Sequence, residues 1–109
     1  MVTMSEFLPP ATPEVRELFK ETAEEMTELF GISRAEAVAR INAQWEGREF
    51  LGEDEVILHE DPYYWALFIY YRDVRDWSPV ADRSAWTPIP PPPADSPAWT
   101  LPPEEPAGR

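Results

Sequence analysis

Between Thr12 and Phe30 the side chains Val15, Leu18, Phe19, Thr22, Met26, Leu29 and Phe30 recur at three- and four-residue spacing. One such stripe over about five turns predicts a helix with a single buried face. Its ends are marked as clearly as its middle. Thr12 suits the cap, Pro13 the first helical position and Glu14 the positive end of the dipole. Gly31 supplies a left-handed exit, and Ile32 can fold back on the last turn. The first helix is placed at 13–30.

A second periodic segment follows after a three-residue link. Ser33-Arg34-Ala35-Glu36 has the spacing of a capping box, Val38, Ile41 and Trp45 form an apolar face beside Ala37, and Gly47 closes it. This predicts a helix over about 34–46, packed at a steep angle on the first. Asp61-Pro62 repeats the pairing of cap and first position, which places a third helix at about 62–72. Its content, Tyr63 to Tyr71, is aromatic and apolar nearly all round, a composition also found in buried strands. The opening signal and the lack of a clear strand partner favour helix. A helix apolar on every side is expected at the centre of the core. Phe50-Leu51 and Val56-Ile57-Leu58 suggest a short hairpin around Gly52-Glu53-Asp54-Glu55.

Proline divides the rest. Ten of the 14 prolines lie between residues 79 and 109, and Pro88-Ile89-Pro90-Pro91-Pro92-Pro93 lacks the amide donors of helix or central strand. The expected organisation is a loose N-terminal arm (1–11), a helical core (12–77) and a Pro/Trp-rich extended tail (78–109). A core of that size is marginal without staples, and the chain has no cysteine. Tryptophan is unusual in a disordered segment. Trp86, Ile89, Trp99 and Leu101 are therefore expected to dock on the helices. The fold class is mainly α, a small three-helix bundle with a docked irregular tail.

Composition narrows function more than it names it. The 109 residues carry a formal charge of −12, with 21 acids against nine Lys and Arg, a poor balance for gripping a phosphate backbone. Residues 1–10 have neither the basic start nor the apolar core of a signal peptide, and the longest apolar stretch is about half a bilayer crossing. A protein of the cytoplasm, with no membrane contact, is expected. Eight of the nine basic residues are arginine, which with abundant alanine and proline hints at a GC-rich coding sequence.

Five features could carry chemistry. Glu17, Glu21, Glu24, Glu25 and Glu28 lie opposite the apolar stripe of the first helix. Their i,i+4 spacings set like charges together at about 0.2–0.5 kcal/mol per pair. Such a row can steer a basic partner, in the sharpest form by mimicking DNA phosphates; a merely solvated face is the simpler account. The turn from Gly31 to Asn42 resembles the corner and second helix of bacterial helix-turn-helix regulators, which implies nucleic-acid contacts by Arg34 and Arg40. Thr27 and Glu36 depart from that pattern, and 16 acids against seven bases between residues 12 and 77 oppose it. His59-Glu60-Asp61, near Glu53-Asp54-Glu55, offers a histidine among carboxylates, yet contiguous loop residues rarely converge on a metal. Pro90 to Pro93 loosely resemble ligands of polyproline-binding domains but lack the flanking arginine. The tyrosines Tyr63, Tyr64, Tyr70 and Tyr71 need hydroxyl partners if buried, and could line a pocket or an interface.

Leu29 to Ala37 and His59 to Ala66 together resemble short, acidic, uncharacterised proteins of actinobacteria, a group that brings no activity, cofactor or ligand with it. The expectation is a non-enzymatic interaction module for a basic protein partner, with neither metal nor cofactor. A nucleic-acid-binding regulator using residues 31–42 is the alternative.

Overall fold

A computed structural model describes residues 6–102. Helix α1 runs Pro13–Phe30, as the stripe predicts. Thr12 Oγ1 accepts the Val15 amide at 3.3 Å, and Gly31 exits at φ 68°, its amide donating to the Thr27 carbonyl. Helix α2 runs Arg34–Gln44, two residues short of the expected end. Ser33 Oγ accepts the Glu36 amide at 3.0 Å, which is half of the capping box. The other half does not form, because the Glu36 carboxylate is taken by Arg40, one turn on, at 2.9 Å. Helix α3 runs Pro62–Tyr70, also two residues short, opened by Asp61 Oδ1 accepting the Tyr64 amide at 2.9 Å. The aromatic run is helix rather than strand.

The expected hairpin is replaced by two other devices. Val56–His59 is a 3-10 turn. Phe50 instead forms a single parallel bridge with Ala11: its amide donates to the Pro10 carbonyl at 2.8 Å and its carbonyl accepts from Thr12 at 3.0 Å. That bridge pulls the Phe50 ring into the core beside Phe19 and Trp45.

The expected centre also moves. Helix α1 packs on both other helices and on the 3-10 turn, while α2 and α3 touch each other less. Helix α3 gives Ala66, Leu67 and Ile69 to the core and leaves Phe68 39% exposed. Its Tyr and Trp side chains are amphipathic, so their outer edges tolerate partial exposure or a second layer of rings. That layer comes from the chain beyond α3: Trp77 stacks on Tyr64 at 4.4 Å, and Trp86 of the tail meets Tyr71 edge-on at 5.2 Å.

Helix α2 is the element wrapped on two sides. Val38, Ile41 and Trp45 face the bundle, while Ala35, Ala39 and Asn42, on a second stripe, are buried as well. What covers the second stripe is the two ends of the described chain. Asn42 Oδ1 accepts the Leu8 amide at 2.8 Å, and its Nδ2 donates to the carbonyls of Glu6 (3.1 Å) and Ala98 (3.0 Å). Thr100 Oγ1 donates to the same Glu6 carbonyl at 2.6 Å. Alanine at 35 and 39 leaves room for backbone to approach this closely.

The N-terminal arm is therefore not loose over residues 6–11: Phe7 is buried, its ring 5.4 Å from that of Phe19. Residues 1–5 of the expected arm, and 103–109 of the expected tail, lie outside the described residues. The tail docks, as its tryptophans predict. Tyr71 and Pro88 form an antiparallel bridge, Ile89 donates to the Tyr70 carbonyl at 2.8 Å, and Leu101 packs against the core. Trp99 Nε1 donates to the Pro92 carbonyl at 3.0 Å, so this tryptophan braces the proline run itself.

Candidate functional site

The acidic face of α1 is displayed as its spacing implies. Glu17, Glu21, Glu24 and Glu28 are exposed, and Glu25 is half-buried. Lys20 lies 3.7 Å from Glu17; among the described residues Glu21, Glu24, Glu25 and Glu28 have no Lys or Arg within ion-pair distance. The pKa of Glu25 is raised above its ordinary value, first by partial burial and then by the neighbouring charges of Glu28 and Asp61. Asp61 is there because it caps α3, so the crowding extends across the α1–α3 seam.

The arginines of the alternative reading are used elsewhere. Arg40 is 6% exposed. Its guanidinium binds Glu36, donates to the Ile89 carbonyl at 2.5 Å, and lies 4.6 Å from the centre of the Tyr70 ring. Arg34 makes a two-pronged pair with Glu6 at 2.6 and 3.3 Å. One therefore ties the tail to α2 and the other ties the arm. In α2 the Val38–Ile41 face and the Ala35–Ala39–Asn42 face are both buried, and both arginines are engaged within the chain.

His59 is exposed and lies 3.6 Å from Asp54. Among the described residues no three His, Cys, Asp or Glu side chains converge as a metal site would require. The proline run rests on its own core, with Pro90 and Pro92 beside Arg40, Ala43, Gln44 and Ile69. Of the tyrosine hydroxyls, Tyr63 donates to the Ser78 carbonyl at 3.1 Å, tying α3 to the start of the tail.

One feature escapes the sequence pattern. Two clefts, of about 450 and 430 Å³, open on either side of Phe68 and share it and Gln44 as walls. The first has Trp45, Phe50 and Trp65 at its floor, Val56 at its rim and Arg48, Asp54 and Glu55 around its mouth. The second runs past Tyr64, Tyr71 and Trp77, with Arg72 and Asp73 at its edge. Asp54 and Glu55 at its mouth belong to a seven-acid stretch of the sequence, Glu46, Glu49, Glu53, Asp54, Glu55, Glu60 and Asp61, with Arg48 as its one Lys or Arg. A signal for this site was present in the acids bracketing Trp45, Phe50 and the aromatic run. Without the chain path nothing shows that Asp54 and Glu55 meet these rings around one cleft.

Among the described residues no helix is long and apolar enough to cross a membrane. Comparison of the chain with protein families, with curated proteins and with solved structures gives no match.

Proposed function

We propose that this chain is a non-enzymatic interaction module of the cytoplasm whose acidic α1 face meets a basic protein partner. One observation carries the reading: a row of exposed glutamates runs along α1, and among the described residues no Lys or Arg pairs with it beyond Glu17. Repulsion of this kind costs folding stability and returns it when an external cation arrives. A single-sign face also raises encounter rates with an oppositely charged partner, by roughly 10- to 1,000-fold at low salt.

The test is affinity capture from the native host with a salt gradient, run beside a Glu17/Glu21/Glu24→Lys variant. A basic protein retained at low salt, eluted as salt rises and lost in the variant is the expected result. Retention that ignores both salt and charge reversal overturns the proposal. A duplex DNA arm belongs in the same experiment. Tight binding there, abolished by Arg34→Ala, would return the helix-turn-helix alternative to first place.

A further inference from the structure

The aromatic clefts beside Phe68 are unlike the α1 face, because they combine exposed apolar surface with charge. Phe68 is 39% and Val56 73% exposed, and both line the same cleft. The rings around them stand at steep angles: Trp45 to Trp65 at 75°, Trp65 to Phe68 at 89° and Trp45 to Phe50 at 77°. Edge-to-face packing of this kind holds the rings rigid. The chain already parks a cation here, since the Arg48 guanidinium lies 5.5 Å from the centre of the Phe50 ring. Beside Arg48, the mouth of the cleft carries the carboxylates of Asp54 and Glu55.

We infer that the cleft bounded by Asp54, Glu55 and the outer face of α3 seats a basic, aliphatic-bearing segment of a protein partner, with an arginine or lysine head over Phe68 and Trp65. Charge complementarity selects this occupant. A second copy of the chain would bring another −12 against the same carboxylates, and a nucleic acid would bring phosphates. A neutral proline-rich ligand would leave the carboxylates unused. An arginine or lysine satisfies both halves of the site, its methylene stem lying on the apolar rim and its head between π-face and carboxylate. The inference rests on the basic-partner reading above and adds the place where the partner's apolar residues go.

The test uses two synthetic probes of equal length and charge, one of arginine and leucine and one of arginine and glycine, titrated into the full chain at 150 mM salt by fluorescence anisotropy. The arginine–leucine peptide is expected to bind tighter, with Phe68→Ala weakening it roughly tenfold and Phe68→Leu about threefold. Phe68 is 39% exposed and packs edge-on against Trp65, so the unfolding midpoint of each variant is measured alongside and binding is compared at a temperature where all three chains are folded. Binding that is abolished by Glu17/Glu21/Glu24→Lys but indifferent to Phe68 overturns the cleft and leaves the acidic-face reading standing. No binding of either peptide, even at 20 mM salt, overturns both. Equal affinity for the two peptides also overturns the cleft, since charge alone would then explain binding.

Discussion

Replacing Asn42 with alanine removes three hydrogen bonds at once, those to the Leu8 amide and to the carbonyls of Glu6 and Ala98. Asn42 is 2% exposed, so the replacement brings no water in exchange at the side chain itself. At about 1 kcal/mol net per bond, the direct loss is about 3 kcal/mol. The partners left behind differ. Glu6 keeps the Thr100 hydroxyl, and Leu8 belongs to an exposed residue, whereas Ala98 is buried and its carbonyl has lost the Asn42 donor. The total is therefore placed at about 2–4 kcal/mol, equivalent to a fall of roughly 10–25 °C in midpoint for a domain of this size. Urea and thermal unfolding followed by circular dichroism measure it. Asn42→Asp sharpens the argument, because it keeps the acceptor for Leu8 but turns two donors into an oxygen facing two carbonyls. Burial without donors raises the pKa of the new carboxyl above its unfolded value, so the penalty is largest at pH 7 and shrinks as pH falls and one oxygen regains a proton. A midpoint change below about 4 °C for Asn42→Ala, or an Asp variant whose deficit does not depend on pH, would refute the account of Asn42 as the clasp joining both chain ends.

Deleting residues 79–109 strips Trp86, Ile89, Ala98 and Leu101 from the helices and should lower stability by about 3 kcal/mol or more; an unchanged midpoint would mean that the tail adds nothing. Glu25 has a raised folded-state pKa, so its contribution is destabilising at neutral pH and is relieved as pH falls through the folded value towards the unfolded one. Glu25→Gln is accordingly expected to raise the midpoint at pH 7 and to have no effect near pH 3, and a gain that is the same at both values would contradict the electrostatic cause. Gly31→Ala should cost about 1 kcal/mol through backbone strain at φ 68° alone, because its new methyl meets nothing within 4 Å. Guanidinium unfolding with an unchanged midpoint would show that the helix end relaxes.

Local chemistry, and so the sequence by itself, determined where α1, α2 and α3 begin, because Thr12, Ser33 and Asp61 each cap amides three residues away. It determined the acidic face as well, since helical period alone puts Glu17, Glu21, Glu24 and Glu28 on one side. The helix-or-strand ambiguity at Tyr63 to Tyr71 was settled by that same cap. What tertiary structure decided was everything that depends on distant chain meeting. Phe50 joins Ala11 rather than a hairpin partner, and the residues after Tyr70 bond to the tail instead of continuing the helix. Arg40 and Asn42 show the difference most clearly. Their types suit a solvated helix face, yet both are buried because Ile89 and Ala98, about fifty residues on, supply carbonyls that only folding brings within reach. A side chain's partners over such separations are fixed by the path of the backbone, and the spacing of residues along one helix holds no record of that path.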